Sequence, residues 1–432
     1  MSEPTSKVTM AELCTRVARE ASLAYNGPSG TSRSMIPVNQ DDLGHVKDVV
    51  NDGIEMFVND APSTGWQWRK RLAEIPISHV NVTGTADSGD ATTLVDATLS
   101  ATYDADDDLN GWYCYISSGT GAGSFAVITD YTTLTGTITV ADWLDEYGNA
   151  GGTDPDADSG YTLTPYETVA GDPGRYPLPE DFGGEVTGKI TYGRGTSHTQ
   201  RIEWVSESEI RELLQNETST GYPRKAAIRP LEPRTGLGPK RRYELLVYPY
   251  PAQADTLVFP YAVVFNRLDI ESGVVTGVDA GSYTFADSER AETDDYFNGW
   301  TVTIIDGPGK GESATVVDYT ASTGTFTFTA GTWFTVDPTT ASVYTVEPAN
   351  NTHPAGVAFD FAIKSACFAM AELTFENITS GRSDKYHQKD LKLAYEKDAR
   401  MNAHLIRSRA TRYPSLRRWN PVTYNDELNS GD

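Results

Sequence analysis

A pattern of some thirty residues occurs twice in this 432-residue chain, and internal repetition constrains the fold more than any other feature of it. Asn110-Gly111-Trp112 returns as Asn298-Gly299-Trp300. Gly119, Gly121 and Gly123 return as Gly307, Gly309 and Gly311, and Asp130-Tyr131-Thr132 returns as Asp318-Tyr319-Thr320. Thr135-Gly136-Thr137 and Thr323-Gly324-Thr325 continue the match at the same offset of 188 residues, and about half of the aligned positions are identical. Each copy reads as β structure. Residues alternate in Trp300-Thr301-Val302-Thr303-Ile304 and in Thr325-Phe326-Thr327-Phe328-Thr329, and glycine-rich turns separate such runs. Trp143 and Trp333 follow, and Tyr161 and Tyr344 close each unit. Trp112 and Trp300 are expected to fill the centres of two small antiparallel modules.

The formal net charge of −25 is concentrated in the same two places. Leu72 to Gly174 carries 17 acids and no Lys or Arg; Asp269 to Asn350 carries 13 acids and two bases; the rest sums to +3. So sharp a break marks domain boundaries. It also excludes a broad nucleic-acid-binding face on the modules, because phosphate contacts need Lys and Arg. No apolar run reaches the roughly 18 residues of a membrane-spanning helix. The start, MSEPTSKVTMAEL, has no basic stretch followed by an apolar one, so no secretion signal is expected and synthesis in a cytoplasm is the default. Cys14, Cys114 and Cys367 are far apart, which argues against disulfides and a Cys-based zinc site.

Outside the repeats the pattern changes. Thr9 to Ala24 reads as a helix with Thr9 and Glu12 as a capping box, and Asp41 to Asn59 as a second helix carrying Val46, Val50, Ile54 and Phe57. Residues between the repeats mix strands (Arg201 to Val205, Tyr243 to Tyr248, Thr256 to Val264) with a short helix, Glu207 to Leu214. Pro354 to Thr379 is apolar almost all round, Leu373 included, which implies burial on several sides; Asp384 to Arg412 reads as a long amphipathic helix. The expected fold class is α+β: a helical bundle framework with a central β-containing part and two inserted, duplicated antiparallel β-modules. The expected parts are an N-terminal helical part (1–74), the first acidic module (75–172), the central part (173–268), the second module (269–350), C-terminal helices (351–412) and an extended tail (413–432).

Tyr176-Pro177-Leu178-Pro179-Glu180-Asp181-Phe182 resembles the aromatic-x-Leu-Pro-x-Asp-aromatic entry of the head-to-tail adaptors of tailed bacteriophages, the tail tubular protein A type and related head-completion proteins. Gly221-Tyr222-Pro223, Leu245-Leu246-Val247-Tyr248-Pro249-Tyr250-Pro251 and Tyr261 extend the similarity, as does the second helix followed by Trp66 and Trp68. The resemblance implies a structural virion protein at the neck. It would be an adaptor ring, dodecameric like the portal, that joins the portal protein to the next tail or neck ring and helps retain packaged DNA. DNA would pass through the lumen without sequence-specific binding, and no membrane would be involved. The acidic modules depart from the compact family pattern.

From Ala399 to Asn420 there are six arginines and no acid. Arg407, Arg412, Arg417 and Arg418, with Leu416, Trp419 and Tyr424 as anchors, are the candidate portal-docking residues, since aromatics and arginines dominate interfaces. The family's C-terminal helix and tail dock on the portal, which favours protein over DNA as partner. Other chemistries are weaker. Asp106-x-Asp108-x-Asn110-Gly111 has the spacing of half a calcium loop, yet its twelfth position is Ser117 rather than Glu, and Asp154, Asp156 and Asp158 read as a solvated turn. Gly307-Pro308-Gly309-Lys310-Gly311 lacks the spacing of a phosphate loop and no helix follows it. No catalytic residue, metal or cofactor is assigned, and the chain is read as a non-enzyme. The alternative is a phage or cell-surface glycan-binding protein that uses the duplicated modules.

Overall fold

The computed structural model describes residues 8–146, 148, 150–193, 201–216, 219–231 and 242–400. Their regular structure is mostly β-sheet, so the expected helical-bundle framework is not what forms. Five α-helices stand among the described residues: α1 (Met10–Glu20), α2 (Gln40–Asn59), α3 (Glu207–Asn216), α4 (Asp360–Glu376) and α5 (382–400). The correction has a physical cause. Helices announce themselves over many residues, whereas most strands here run two to five residues between turns and leave little periodicity to read. One long strand was also unforeseen: Lys70–Ile77 pairs antiparallel with Asp255–Val263 along its whole length.

The chain divides into two compact units. One comprises the described residues of 1–68 and 265–432. In it α1 begins at Thr9, whose hydroxyl accepts from the Glu12 amide at 3.2 Å. The reciprocal half of the expected capping box is absent, because the Glu12 carboxylate turns to Arg16 instead. Leu43, Val46, Val50 and Phe57 of α2 bury against Ala362, Ile363, Ala366 and Cys367 of α4. Gly53 permits this approach: a Cβ there would lie 2.6 Å from the Cys367 Cα. The second module joins the helices through polar ties. Lys47 donates to Asp269 at 2.8 Å and to Glu271, and the Asn51 side chain bonds both the amide and the carbonyl of Leu268. Its two small sheets enclose Phe285, Phe297, Tyr319, Phe326 and Tyr344.

The other unit spans Arg69–Val264. Its central part holds the long pair just described and a second sheet in which Arg242–Tyr248 lies between Lys225–Leu231 and Arg175–Pro177. The first module adds a seven-stranded antiparallel arrangement around Leu94, Ile116, Ile128, Tyr131, Trp143 and Leu163.

The two copies share several bonds at equivalent positions. Gly111 donates to Ile128 O at 2.8 Å, and Gly299 to Val316 O at 2.9 Å. Asn110 Nδ2 reaches Asp107 and Asn298 Nδ2 reaches Asp295, each at 2.8 Å. Asp107 and Asp295 share a positive φ of 69° and 63°. A register shift falls after Ile116 in one copy and after Ile304 in the other. Trp112 and Trp300 do not fill the module centres as expected: both are half-buried and packed on the rim, and the centres hold Tyr131 and Trp143 in one copy and Tyr319 and Phe326 in the other.

Candidate assembly surface

Arg407, Arg412, Leu416, Arg417, Arg418, Trp419 and Tyr424 lie outside the described residues, so their expected docking role has no geometry to be judged against. The helix leading towards them does. On its inner side α5 buries Leu391 and Ala394; the Tyr395 hydroxyl donates to Asp60 O at 2.8 Å, and the buried Asp398 accepts from the Gln67 and Trp68 amides. Its first turn is fixed by Glu372 of α4, which accepts from the amides of Arg382 and Ser383 at 3.0 and 2.8 Å.

The outer side is open. Leu373 of α4 is 41% exposed, Ile378 in the link 43%, and Tyr386 and Leu393 of α5 are 51% and 44% exposed. Tyr386 and Leu393 stand two turns apart and so share a face. Tyr386 also borders a groove of about 530 Å³ that is lined by Phe368, Ala371 and Phe375 together with Glu20, Glu372, Glu376 and Arg382. As expected, α4 is covered on several sides, with Ala362, Ile363, Ala366, Cys367, Ala369 and Ala371 buried and both α1 and α2 packed on it, but the cover is incomplete. Its small residues pack on α2, Phe361 and Phe368 are only half-buried, and Leu373 faces solvent. Sequence reasoning placed Leu373 in a core and passed over Ile378, Tyr386 and Leu393. Which side of each helix stays open depends on the neighbours that cover the other sides, and no pattern in the sequence reports that.

In the other unit the motif that carries the adaptor resemblance forms a structural knot. The buried Tyr176 hydroxyl donates to Pro173 O at 2.6 Å and accepts from the Ser78 amide at 3.1 Å. Asp181 accepts from Tyr261 at 2.8 Å and from Arg71 at 2.9 Å; burial and that carboxylate push the Tyr261 phenol up to about 12. Phe182 packs on Tyr243 and Tyr261. Nearby, Glu244 is fully buried between Arg175 and Arg229, with nitrogen-to-oxygen distances of 2.9 and 2.6 Å, and Arg229 also reaches Glu207 of α3. A cavity of about 290 Å³ opens beside these arginines, whose charges are met internally.

The acidic turns of the modules are occupied by their own backbone. Asp106 accepts from the Thr133 amide and Asp108 from the Ala105 amide; Asp156 accepts from Thr120 and from the Asp158 amide. Among the described residues no group of three or more His, Cys, Asp or Glu side chains stands close enough to hold a metal ion. Lys310 pairs with Asp306 at 3.1 Å in a turn between strands, so the Gly307–Gly311 stretch has no helix N-terminus to offer a phosphate. All three cysteines are buried, which pushes their thiols up and away from nucleophilic use, Cys367 to about 12. Trp112 packs edge-on against Tyr103 and Trp300 against Phe297, so each indole already has an aromatic partner. No family model, curated protein or solved structure matches this chain.

Proposed function

We propose that this chain is a structural virion protein, a head-to-tail adaptor whose copies form a ring between the portal and the next tail or neck ring. A ring of identical subunits uses two different faces per subunit and closes by rotation. The DNA would thread its lumen without sequence-specific contact.

The observation that carries this reading is the open apolar face of α4 and α5. Isolated exposed leucines need no explanation, but Tyr386 and Leu393 share the outer face of α5, and Tyr386 borders a groove with Phe368 and Phe375 of α4; such a surface suits a protein contact. The chain continues from that face into the arginine-rich segment. Acids that serve as turn acceptors, rather than as a pair in one cleft, suit a structural role.

The test is binding of the purified full chain to portal rings encoded in the same genome. Wild type is expected to co-sediment with the rings. The exposed-site variant L373S/Y386S/L393S should keep its circular dichroism spectrum and bind tenfold or more weakly. Undiminished binding of the variant, or none by wild type, would overturn the proposal.

A further inference from the structure

Among the described residues is a groove lined by four bases and one acid. It lies in the helical unit, between α1, the Arg33–Ile36 segment and strand Thr301–Asp306 of the second module, and encloses about 560 Å³. Met35 and Ile305 supply its partly exposed apolar lining, while Ile36 and Ile304 are buried. Arg16, Arg19, Arg33 and Lys310 rim it. Arg16 is paired with Glu12 and Lys310 with Asp306, whereas the exposed Arg19 and Arg33 make no ion pair or side-chain hydrogen bond among the described residues.

The first module carries a feature of the opposite kind. Leu134 is 90% exposed, the most exposed large apolar side chain described. The Thr133 amide beside it is held by Asp106, which fixes Leu134 next to the loop Asp104–Asp108. That loop holds four acids, all exposed, and its module contains no Lys or Arg. An exposed leucine set beside an acidic loop is the complement of an apolar lining rimmed by guanidinium groups.

The duplication sharpens the match. The knob exists only in the first copy, because the position equivalent to Leu134 is Ser322. The rim lysine exists only in the second, because the position equivalent to Lys310 is Ala122. Two copies of one module have thus diverged at the sites that would make one a plug and the other part of a socket.

We propose that the Leu134 knob of one subunit docks in the Arg19/Arg33 groove of a second copy of this chain. The contact is heterologous, so it propagates from subunit to subunit, as a ring requires. It deepens the adaptor reading and rests on it for the ring. The remaining area of a stable interface would surround this anchor. Because the rim charges are exposed, the association should weaken as salt rises.

The experiment is sedimentation velocity of the full chain over a wide concentration range at low and high salt. Two variants accompany it, L134S/D104K for the knob and R19E/R33E for the groove, every changed side chain being exposed. Wild type is expected to form species larger than a dimer at low salt, and each variant alone should associate at least tenfold more weakly. A mixture of the two should stop at the heterodimer, since it contains one intact knob facing one intact groove and no means of propagation. Wild type that stays monomeric at the highest concentration, variants that associate like wild type, or a mixture no larger than its parts would each overturn the inference. Portal binding reports separately on the adaptor reading: knob and groove variants that still bind portal but do not associate leave both proposals standing, and loss of portal binding by wild type removes only the adaptor reading.

Discussion

Tyr161 and Tyr344 are the buried polar centres of the two modules. The Tyr161 hydroxyl donates to Asp96 at 2.6 Å and the Tyr344 hydroxyl to Asp287 at 2.7 Å. Burial, and then the facing carboxylate, raise both phenols. A glycine faces each pair, Gly84 in one copy and Gly273 in the other, where a Cβ would strike the Tyr and Asp side chains. Removing the Tyr161 hydroxyl leaves a buried carboxylate oxygen short of a donor, which costs about 1–3 kcal/mol. Tyr161→Phe should lower the stability of the full chain in urea by such an amount, and Tyr344→Phe by less, because the same oxygen of Asp287 also faces the buried Arg290 Nε at 3.5 Å. A change below the error of the titration would show that the carboxylate is satisfied elsewhere. The tyrosines were legible in the sequence, and their partners were not. The constant offset of 188 breaks at both: the tyrosines are 183 residues apart and the aspartates 191. Loops of unequal length hide equivalent residues from a gapless comparison while the fold keeps them together.

Each module turns on glycines that are not interchangeable. Gly136 and Gly324 have φ near +60°, and a Cβ on either would lie 2.0 Å from the carbonyl oxygen of Asp96 or Asp287. Gly111 and Gly299 have φ near +80° but open space around them. Both pairs are repeated in the sequence and so look alike there. Only the structure separates a backbone preference from a close approach. Gly299→Ala should cost about 1 kcal/mol, from the strained φ alone. Gly324→Ala should cost more than about 2 kcal/mol, since the backbone must also move. Thermal unfolding of the two variants checks the order; equal losses would contradict it. Helix positions were the most legible elements. Asp41 to Asn59 was expected and Gln40–Asn59 is found, because apolar residues recur there at helical spacing over five turns. The short strands leave no such periodicity, so the sequence alone reads as a helical framework that the β-rich chain does not have. The docking candidates beyond residue 400 were chosen from composition, whereas the open face of α4 and α5 depends on which side of each helix its neighbours cover.

At the scale of the whole chain, the two copies of the repeat belong to different compact units. Disturbing one unit should therefore leave the local stability of the other unchanged. Glu244 is the place to test this, being fully buried between two partly exposed arginines. Glu244→Ala leaves both guanidinium groups without their shared carboxylate, a loss of about 2 kcal/mol or more even after screening by solvent. Hydrogen exchange should speed up within residues 69–264 and stay unchanged in α2 and α4. Faster exchange in both regions would mean that the units unfold as one.

The strands Lys70–Ile77 and Asp255–Val263 enter and leave their unit side by side, with the Val263 amide bonded to Arg69 O at 2.9 Å. On the ribosome this arrangement sets an order of events. The apolar face of α2 is synthesised about three hundred residues before the α4 residues that cover it, a wait of roughly 15–60 s at ordinary translation rates. The unit in between is contiguous in the chain and can close its long strand pair as soon as Val263 has emerged. The inserted part can thus be complete while the part that surrounds it in the sequence is still waiting for its second half.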